Sequence, residues 1–555
     1  MDKETKRILQ EASVIGRAFL YEILIKITEL KDFIDGGLST LERLDLIRTR
    51  ALQPDLEYMF KHPLTQEVVY NGVLKKERQE IHEQIALVIE SVFQDRLPEF
   101  YETLAFHFRQ GRSVLKAVDY LIRSGEKCLA RYAVDESHQY FKEAYELLSN
   151  KSEKTKEENA LLIELLTKWS LIRYYRGDLG KYVDLLRSHR DLAESLADRP
   201  KLGMFYAWCG WSLWYQGKYT DSYEYLRLAL KMGEQIEDQK VIGHACTWLS
   251  FTCSELGDLD QAILYGERAQ EVCKNRPSDH YLFFKSLGAI GFAFWFKGNC
   301  KRTLEEGTAL IDYGRKHSNI RSIVMGYWFI GFGHIMKGDF ASAISASKKG
   351  LQTAQDPLYS QMMRYLLGNC YLANGQLQEA EEALQEVATF SRDVGDESFG
   401  PPTHAALGII SISKGLMGKG LNMIEKARQA CIKNQRIYAL ARLEQYLGIV
   451  YLRIVDKPAK VNLSTMAKNV GFILKNVPPA AKKAAEHFNR AIEISKEIGA
   501  KGVESQAYLD LGRLHKAKGR NDKARDCFTM AIRIFEECEA EVFLQQANEA
   551  LESLK

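Results

Sequence analysis

The sequence predicts an all-α protein built as a solenoid of helix hairpins, and three observations predict it. Small residues recur at steps of 37–41 residues, at Ser170, Gly210, Ser250, Gly291, Gly331, Gly368, Gly408 and Gly448, and once more at Gly512. Seven residues after each stands a second glycine, at 177, 217, 257, 298, 338, 375, 415 and 519, with Val455 the one exception. With 39 glycines in 555 residues, so many in one register are not accidental. Third, the chain has only eleven prolines, against a usual share of about 5%, which leaves room for long uninterrupted helices.

The stretch Phe205–Ala229, FYAWCGWSLWYQGKYTDSYEYLRLA, shows what one unit must be. Gly210 lets one helix approach its partner, Gly217 makes the turn, and Ser222, Leu226 and Ala229 form the small–large–small face of the second helix. Such a hairpin cannot bury its apolar faces alone and has to stack on neighbours. About ten hairpins are expected, wound as a right-handed superhelix. The 37–41-residue step exceeds the tetratricopeptide length of about 34, so the units resemble long-helix members of that repeat class. The last unit fits best, with Gly512, Gly519, Ala524, Phe528 and Ala531 in register.

Taken in order, residues 4–30 read as one helix, and a second follows Gly36-Gly37 at about 39–48. Leu56–Lys61 alternates as a short strand, His62-Pro63 breaks it, and helices follow at about 64–71 and 75–93. Helices with a strand or two in under 100 residues suggest a winged-helix-like domain at 1–96. Residues 97–156 hold a connecting helix and the first hairpin, in which Tyr132 stands where glycine is usual. The repeat array runs over 157–540, and 541–555 is a capping helix that covers its last apolar face. Within the array, Gly448 to Gly512 spans 64 residues, 24 more than the usual 40. The excess falls at 457–480, in the turn of that unit, and reads as an insert folded back on the array or, alternatively, as a docking helix for a partner or a membrane surface.

The run Phe60–Ala86, FKHPLTQEVVYNGVLKKERQEIHEQIA, and the run Leu104–Phe141 carry a family resemblance. Together they look like the C-terminal region of a STAND-class signal-transduction ATPase, of the type fused to class III adenylate or guanylate cyclases or to protein kinases. In that family a winged-helix segment precedes a tetratricopeptide array. The resemblance implies that His62 senses the phosphates of a bound nucleotide. No GxxxxGK[ST] phosphate loop occurs in the chain, so the nucleotide-binding domain is expected in trans, or in cis in a longer product of which this is the C-terminal part.

Composition narrows the rest. An apolar share of 46% and a charged share of 27% are those of a folded protein. The net charge of +3, from 76 basic and 73 acidic residues, argues against a general nucleic-acid or membrane surface. The ten cysteines form no CxxC pair, which points to free thiols in a reducing cytoplasm. The most apolar stretch, residues 323–336, is in phase with the repeat and shorter than the roughly 20 residues a bilayer needs, so it is expected to be a buried array helix. His82, His107 and His138 fall on separate helices and give no metal-ligand spacing; no catalytic site and no cofactor are expected.

One pattern is not demanded by the fold. The inward face of each first helix lies one, four and five residues beyond the small residue, and three and six before it. In four consecutive units these offsets give Trp211, Trp214, Tyr215, Phe251, Phe292, Trp295, Phe296, Trp328, Phe332 and Met336. Later they give Arg442, Gln445, Arg453, Arg513 and Lys516. The concave groove is thus expected to be aromatic in its middle and basic towards its end, a surface suited to a protein or peptide partner. The alternative packing of the same rings is as core, if long helices curl the superhelix tightly.

These residues predict a non-catalytic interaction scaffold, the sensor arm of a signal-transduction ATPase. The alternatives are a fragment of a cyclase or kinase whose catalytic domains lie elsewhere, and a DNA-binding regulator.

Overall fold

The helix of one middle unit, HYLFFKSLGAIGFAFWFK, is apolar almost all round, whereas its successor, CKRTLEEGTALIDYGRK, is apolar along one stripe. A helix buried on every side needs the first pattern, and one with a solvent face needs the second. The computed structural model of the chain, which describes residues 1–274, 279–456 and 478–554, follows that division. First helices are buried among neighbours, and second helices turn their charged sides outward. The architecture is an all-α solenoid of the tetratricopeptide type.

Ten hairpins occur among the described residues. The first pairs Val114–Ala130 with Val134–Ser149, and the second Lys156–Arg176 with Leu179–Ser188. The third to sixth begin at Arg199–Tyr215, Gln239–Leu256, His280–Lys297 and Ile320–Lys337. The seventh to tenth begin at Pro357–Ala373, Gly400–Ser413, Ile437–Asp456 and Lys501–Ala517, and Glu541–Glu552 closes the series. Aspartate or asparagine caps many first turns: Asp238 Oδ1 accepts from the amides of Lys240 and Val241 at 2.8 and 3.1 Å, satisfying donors the helix leaves open.

Both glycine registers have a packing cause. A Cβ on Gly210 would lie 2.6 Å from Leu226 Cγ, so the first position sets how closely the two helices of a hairpin approach. The second position is the left-handed turn, as at Gly298 with φ 80°, where a side chain is strained. In the first hairpin Tyr132 makes the same turn at φ 62°. Val455 makes none; it lies inside the helix Ile437–Asp456. The expected insert at 457–480 lies, apart from its last three residues, outside the described residues.

The chain divides into two compact units, residues 1–172 and 173–555, with the helix Lys156–Arg176 running through the division. In the first unit the expected helix over 4–30 is broken. Lys3–Ile15 ends at Gly16, Ala18–Leu20 is a strand (β1), and Tyr21–Ile27 is a second helix. Strands β2, Ile47–Ala51, and β3, Glu57–Phe60, complete an antiparallel sheet in the order β1-β3-β2. The strand was hidden because its pairing, Ala18 with Met59 and Leu20 with Glu57, is tertiary and leaves no local period. The helix expected at 39–48 is Ile34–Arg43; it takes in both glycines because Gly37 lies against Ile8, where a Cβ would sit 2.7 Å from Ile8 Cδ1. Helices Pro63–Asn71 and Lys75–Val92 follow, as expected.

In the second unit the superhelix closes on itself every five hairpins. Gly217 of the third hairpin lies against Asn434 at the end of the eighth, Gly298 of the fifth against Gly502 of the tenth, and Gly338 of the sixth against Val542 of the closing helix. Gly375 and Gly519, whose hairpins have no successor five further on, have nothing within 4 Å. Successive turns of the superhelix therefore touch, and their inner faces enclose space.

Candidate functional site

That enclosed space is a cavity of about 750 Å³ inside the second unit, within the range of about 300–1,000 Å³ usual for ligand pockets. All ten residues of the inward aromatic register line it: Trp211, Trp214, Tyr215, Phe251, Phe292, Trp295, Phe296, Trp328, Phe332 and Met336. Eight are buried, and Trp295 and Met336 are half-buried. They also pack on one another. Trp211 stacks parallel on Trp248 at 5.6 Å, Trp295 on Phe332 at 3.8 Å, and Phe296 on Tyr438 of the ninth hairpin at 3.6 Å. The rings are thus both core and cavity wall: adjacent hairpins stack the first two pairs, and the return of the superhelix brings Tyr438 onto Phe296.

The same offsets place Met325, Met362, Tyr365, Asn369, Ile409 and Ile412 on this wall. Of the late polar residues, Arg442, Gln445 and Arg453 line the cavity and Arg513 and Lys516 do not. Arg513 instead pairs with Asp510 at 3.0 Å.

Four cationic side chains, Lys285, Arg436, Arg442 and Arg453, face one carboxylate, Glu255, on the wall. Arg436 grips Glu255 with two bonds, Nε to Oε2 at 2.7 Å and Nη2 to Oε1 at 2.8 Å, and donates a third to the carbonyl of Ser398 at 2.7 Å. This fork-to-fork geometry is the strong form of an ion pair. Burial, the largest single influence, lowers the basicity of Arg436; the Glu255 charge and hydrogen bonds, with Tyr219 and Cys431, together more than offset it and hold the pKa well above the ordinary value. Glu255 belongs to the fourth hairpin and Arg436 precedes the ninth, so the pair ties adjacent superhelical turns.

Lys285, only 2% exposed, is treated differently. Its ammonium donates to the hydroxyl of Tyr174 and lies 4.6 Å from that ring, with Phe251, Trp211, Phe284 and Tyr359 at 5.6–5.9 Å. Burial pushes its pKa down to about 7. The indole N–H groups of Trp211, whose ring lies 5.8 Å from that ammonium, and of Trp214, stacked on Trp211 at 5.0 Å, are buried without an acceptor among the described residues. Lys285 and Glu255 escaped the sequence reading, although both occupy inward offsets: six residues before Gly291 and five after Ser250. A charge inside an otherwise apolar register was the available signal.

In the first unit His62 stands exposed at the start of the helix Pro63–Asn71, and its side chain makes no capping bond there. His82 and His107, expected apart, meet instead: their Nδ1 atoms are 2.8 Å from each other, and Tyr70 Oη is 3.1 Å from His82 Nε2. The helices Lys75–Val92 and Tyr101–Gln110 pack side by side, which linear spacing could not reveal. Burial lowers both imidazoles, His82 to about 4 and His107 to about 3, the latter also through its neighbour. His138 Nδ1 accepts from the Trp169 indole at 3.1 Å. No group of three metal-ligating side chains occurs among the described residues. All ten cysteines are free thiols, and among the described residues no helix is long and apolar enough to cross a membrane.

The tetratricopeptide repeat family matches residues 334–393 and 481–537. An uncharacterized protein of Rhizobium meliloti (strain 1021) is 26% identical over 259 residues, which is 44% of this chain and 24% of that protein. The chain thus spans about a quarter of the curated relative it matches. Among solved structures, a Rap protein complexed with competence and sporulation factor has a TM-score of 0.46 at 14% identity, covering 69% of this chain and 98% of that one. An APC/C hetero-tetramer has a TM-score of 0.48 at 13% identity, over 94% and 91% of the two chains. A STAND protein with a tetratricopeptide repeat sensor from Pyrococcus horikoshii has a TM-score of 0.27 at 13% identity, over 100% of this chain and 66% of that one.

Proposed function

We propose that this chain is a non-catalytic regulatory scaffold whose repeat array takes up a segment of a partner protein in its interior. Repeats of this class imply protein–protein interaction. The observation that carries the narrower reading is the convergence of all ten inward positions, nine of them aromatic, on one cavity. Core packing alone would leave no space of this size, since protein interiors are close-packed. Large rings around an enclosed space are what binding sites use, since aromatic anchors in desolvated pockets dominate recognition energy.

In this proposal the array is the sensor arm of a signal-transduction ATPase. The order helix, β1, two helices, β2, β3 in residues 3–60 fits a winged-helix-like domain, in keeping with the resemblance of Phe60–Ala86. His62, exposed at a helix start, is then the group that would meet the phosphates of a nucleotide held by a separate ATPase domain. Occupancy of the cavity would shift how that domain is held, which requires that the partner favour one of its two states.

The test uses the intact chain and a Trp295→Ala/Phe332→Ala double variant, which removes one stacked pair from the wall. Proteins co-purifying with each are compared by mass spectrometry, with circular dichroism confirming equal helicity. The expected result is selective loss of a small set that includes a nucleotide-binding ATPase. Identical profiles from two equally helical proteins would overturn the reading.

A further inference from the structure

Among the described residues, Lys285 is the buried cation that has no counter-charge beside it. An ammonium taken out of water costs free energy unless it is paired, and the same wall shows how the fold meets that cost elsewhere, with Glu255 set against Arg436. Among the described residues Lys285 has five aromatic rings and one phenol acceptor around it, and no carboxylate. Ring faces attract a cation but cannot neutralise it. One of its three donors is used by Tyr174, and the indole N–H groups of Trp211 and Trp214 add two donors without acceptors.

The charge balance of the whole wall agrees. With Glu255 taken by Arg436, Lys285, Arg442 and Arg453 remain without a carboxylate on the wall. Among the described residues Arg442 hydrogen-bonds Gln445 and Tyr446, with the Asp510 carboxylate behind Gln445 in range of its charge, and Arg453 bonds Ser413. The rest of the lining is mostly aromatic and aliphatic, with neutral polar side chains such as Asn369, Gln445, Ser505 and Gln506 among it. An occupant that matched this surface would be apolar along its body and carry an acceptor-only, negatively charged group.

We infer that the cavity binds an amphipathic carboxylate, with an aromatic or aliphatic body among Phe251, Phe292 and Trp295 and its carboxylate on Lys285. This rests on the reading above that the cavity takes a ligand, and it names the chemistry of the part that enters. A free organic acid and the C-terminal carboxylate of a peptide share that chemistry.

The experiment titrates decanoate and phenylbutyrate into the full chain, each against its uncharged amide, by calorimetry and tryptophan fluorescence. The acids are expected to bind at least tenfold more tightly than the amides. Lys285→Met should abolish that preference, weakening the acids at least tenfold more than the amides; Lys285→Gln serves as the second variant, and helicity is checked for both. A phenylalanine-ended tripeptide with a free or an amidated terminus separates the two sources. Tighter binding of the free-ended peptide than of either acid assigns the carboxylate to a protein terminus, and the reverse assigns it to a small acid. Equal affinity of acids and amides, or an acid preference that survives both substitutions, overturns the carboxylate assignment alone. If neither acids, amides nor peptides bind, the ligand reading of the cavity falls with it.

Discussion

Lys285 and Arg436 are two buried cations in the wall of one cavity, 2% and 8% exposed. Arg436 has a bidentate carboxylate from the adjacent superhelical turn; Lys285 has a ring cage and a phenol. The paired cation costs little as long as both partners stay, and its reach across turns makes it a clasp. The unpaired one keeps part of its desolvation cost, which shows in a pKa near 7. Sites that hold a cost of this kind are where ligands have something to offset.

The largest expected effect comes from breaking the clasp. Glu255→Gln leaves the Arg436 guanidinium buried and unpaired, which should cost about 3–5 kcal/mol of stability, read as a fall in the urea midpoint. Replacing both partners, with Glu255→Leu and Arg436→Met, should recover most of that loss. A single variant as stable as the parent would show that the pair ties nothing.

Lys285 should respond to pH instead. Its folded pKa of about 7 lies below its ordinary 10.5, so between those values the unfolded chain binds a proton that the folded chain has released. Stability is therefore greatest above that window, declines by up to about 1.4 kcal/mol per pH unit as pH falls through it, and levels off below pH 7. Lys285→Met should remove this dependence and, at pH 7, leave stability unchanged or raised. Parallel pH profiles for the two proteins would contradict the assignment of an unpaired lysine.

The smallest effect separates turn geometry from turn-to-turn contact. Gly298 and Gly519 are both left-handed, at φ 80° and 67°, so alanine at either should cost about 1–2 kcal/mol. At Gly298 the added Cβ would also lie 2.5 Å from the Gly502 amide nitrogen, whereas at Gly519 nothing lies within 4 Å. Gly298→Ala should thus lower the melting temperature more than Gly519→Ala. Equal shifts would mean that the superhelical turns do not press on one another.

Much of this was legible from residue spacing, for a physical reason: a helix hairpin repeats its steric demands at fixed offsets. Gly210 against Leu226 and Gly298 in its left-handed turn are local requirements, so the chain records them unit after unit. The inward offsets worked by the same logic from Trp211 through Ile412. They failed at Arg513 and Lys516, which lie in the second half of the helix Lys501–Ala517, whose first turns still line the cavity through Gly502, Ser505 and Gln506. Strand β1 was missed, as was the meeting of His82 with His107, because each depends on a partner far along the chain.

By itself, then, the sequence determined the hairpin, its period and which face of each first helix turns inward, since those follow from contacts within about 40 residues. Only the tertiary structure decided that the superhelix closes in five hairpins. That closure turns an expected groove into a cavity, brings Glu255 onto Arg436 across 181 positions, and leaves Lys285 caged without a counter-charge. Closure depends on the small rotation between neighbouring hairpins summed over five of them, and no single unit carries that sum.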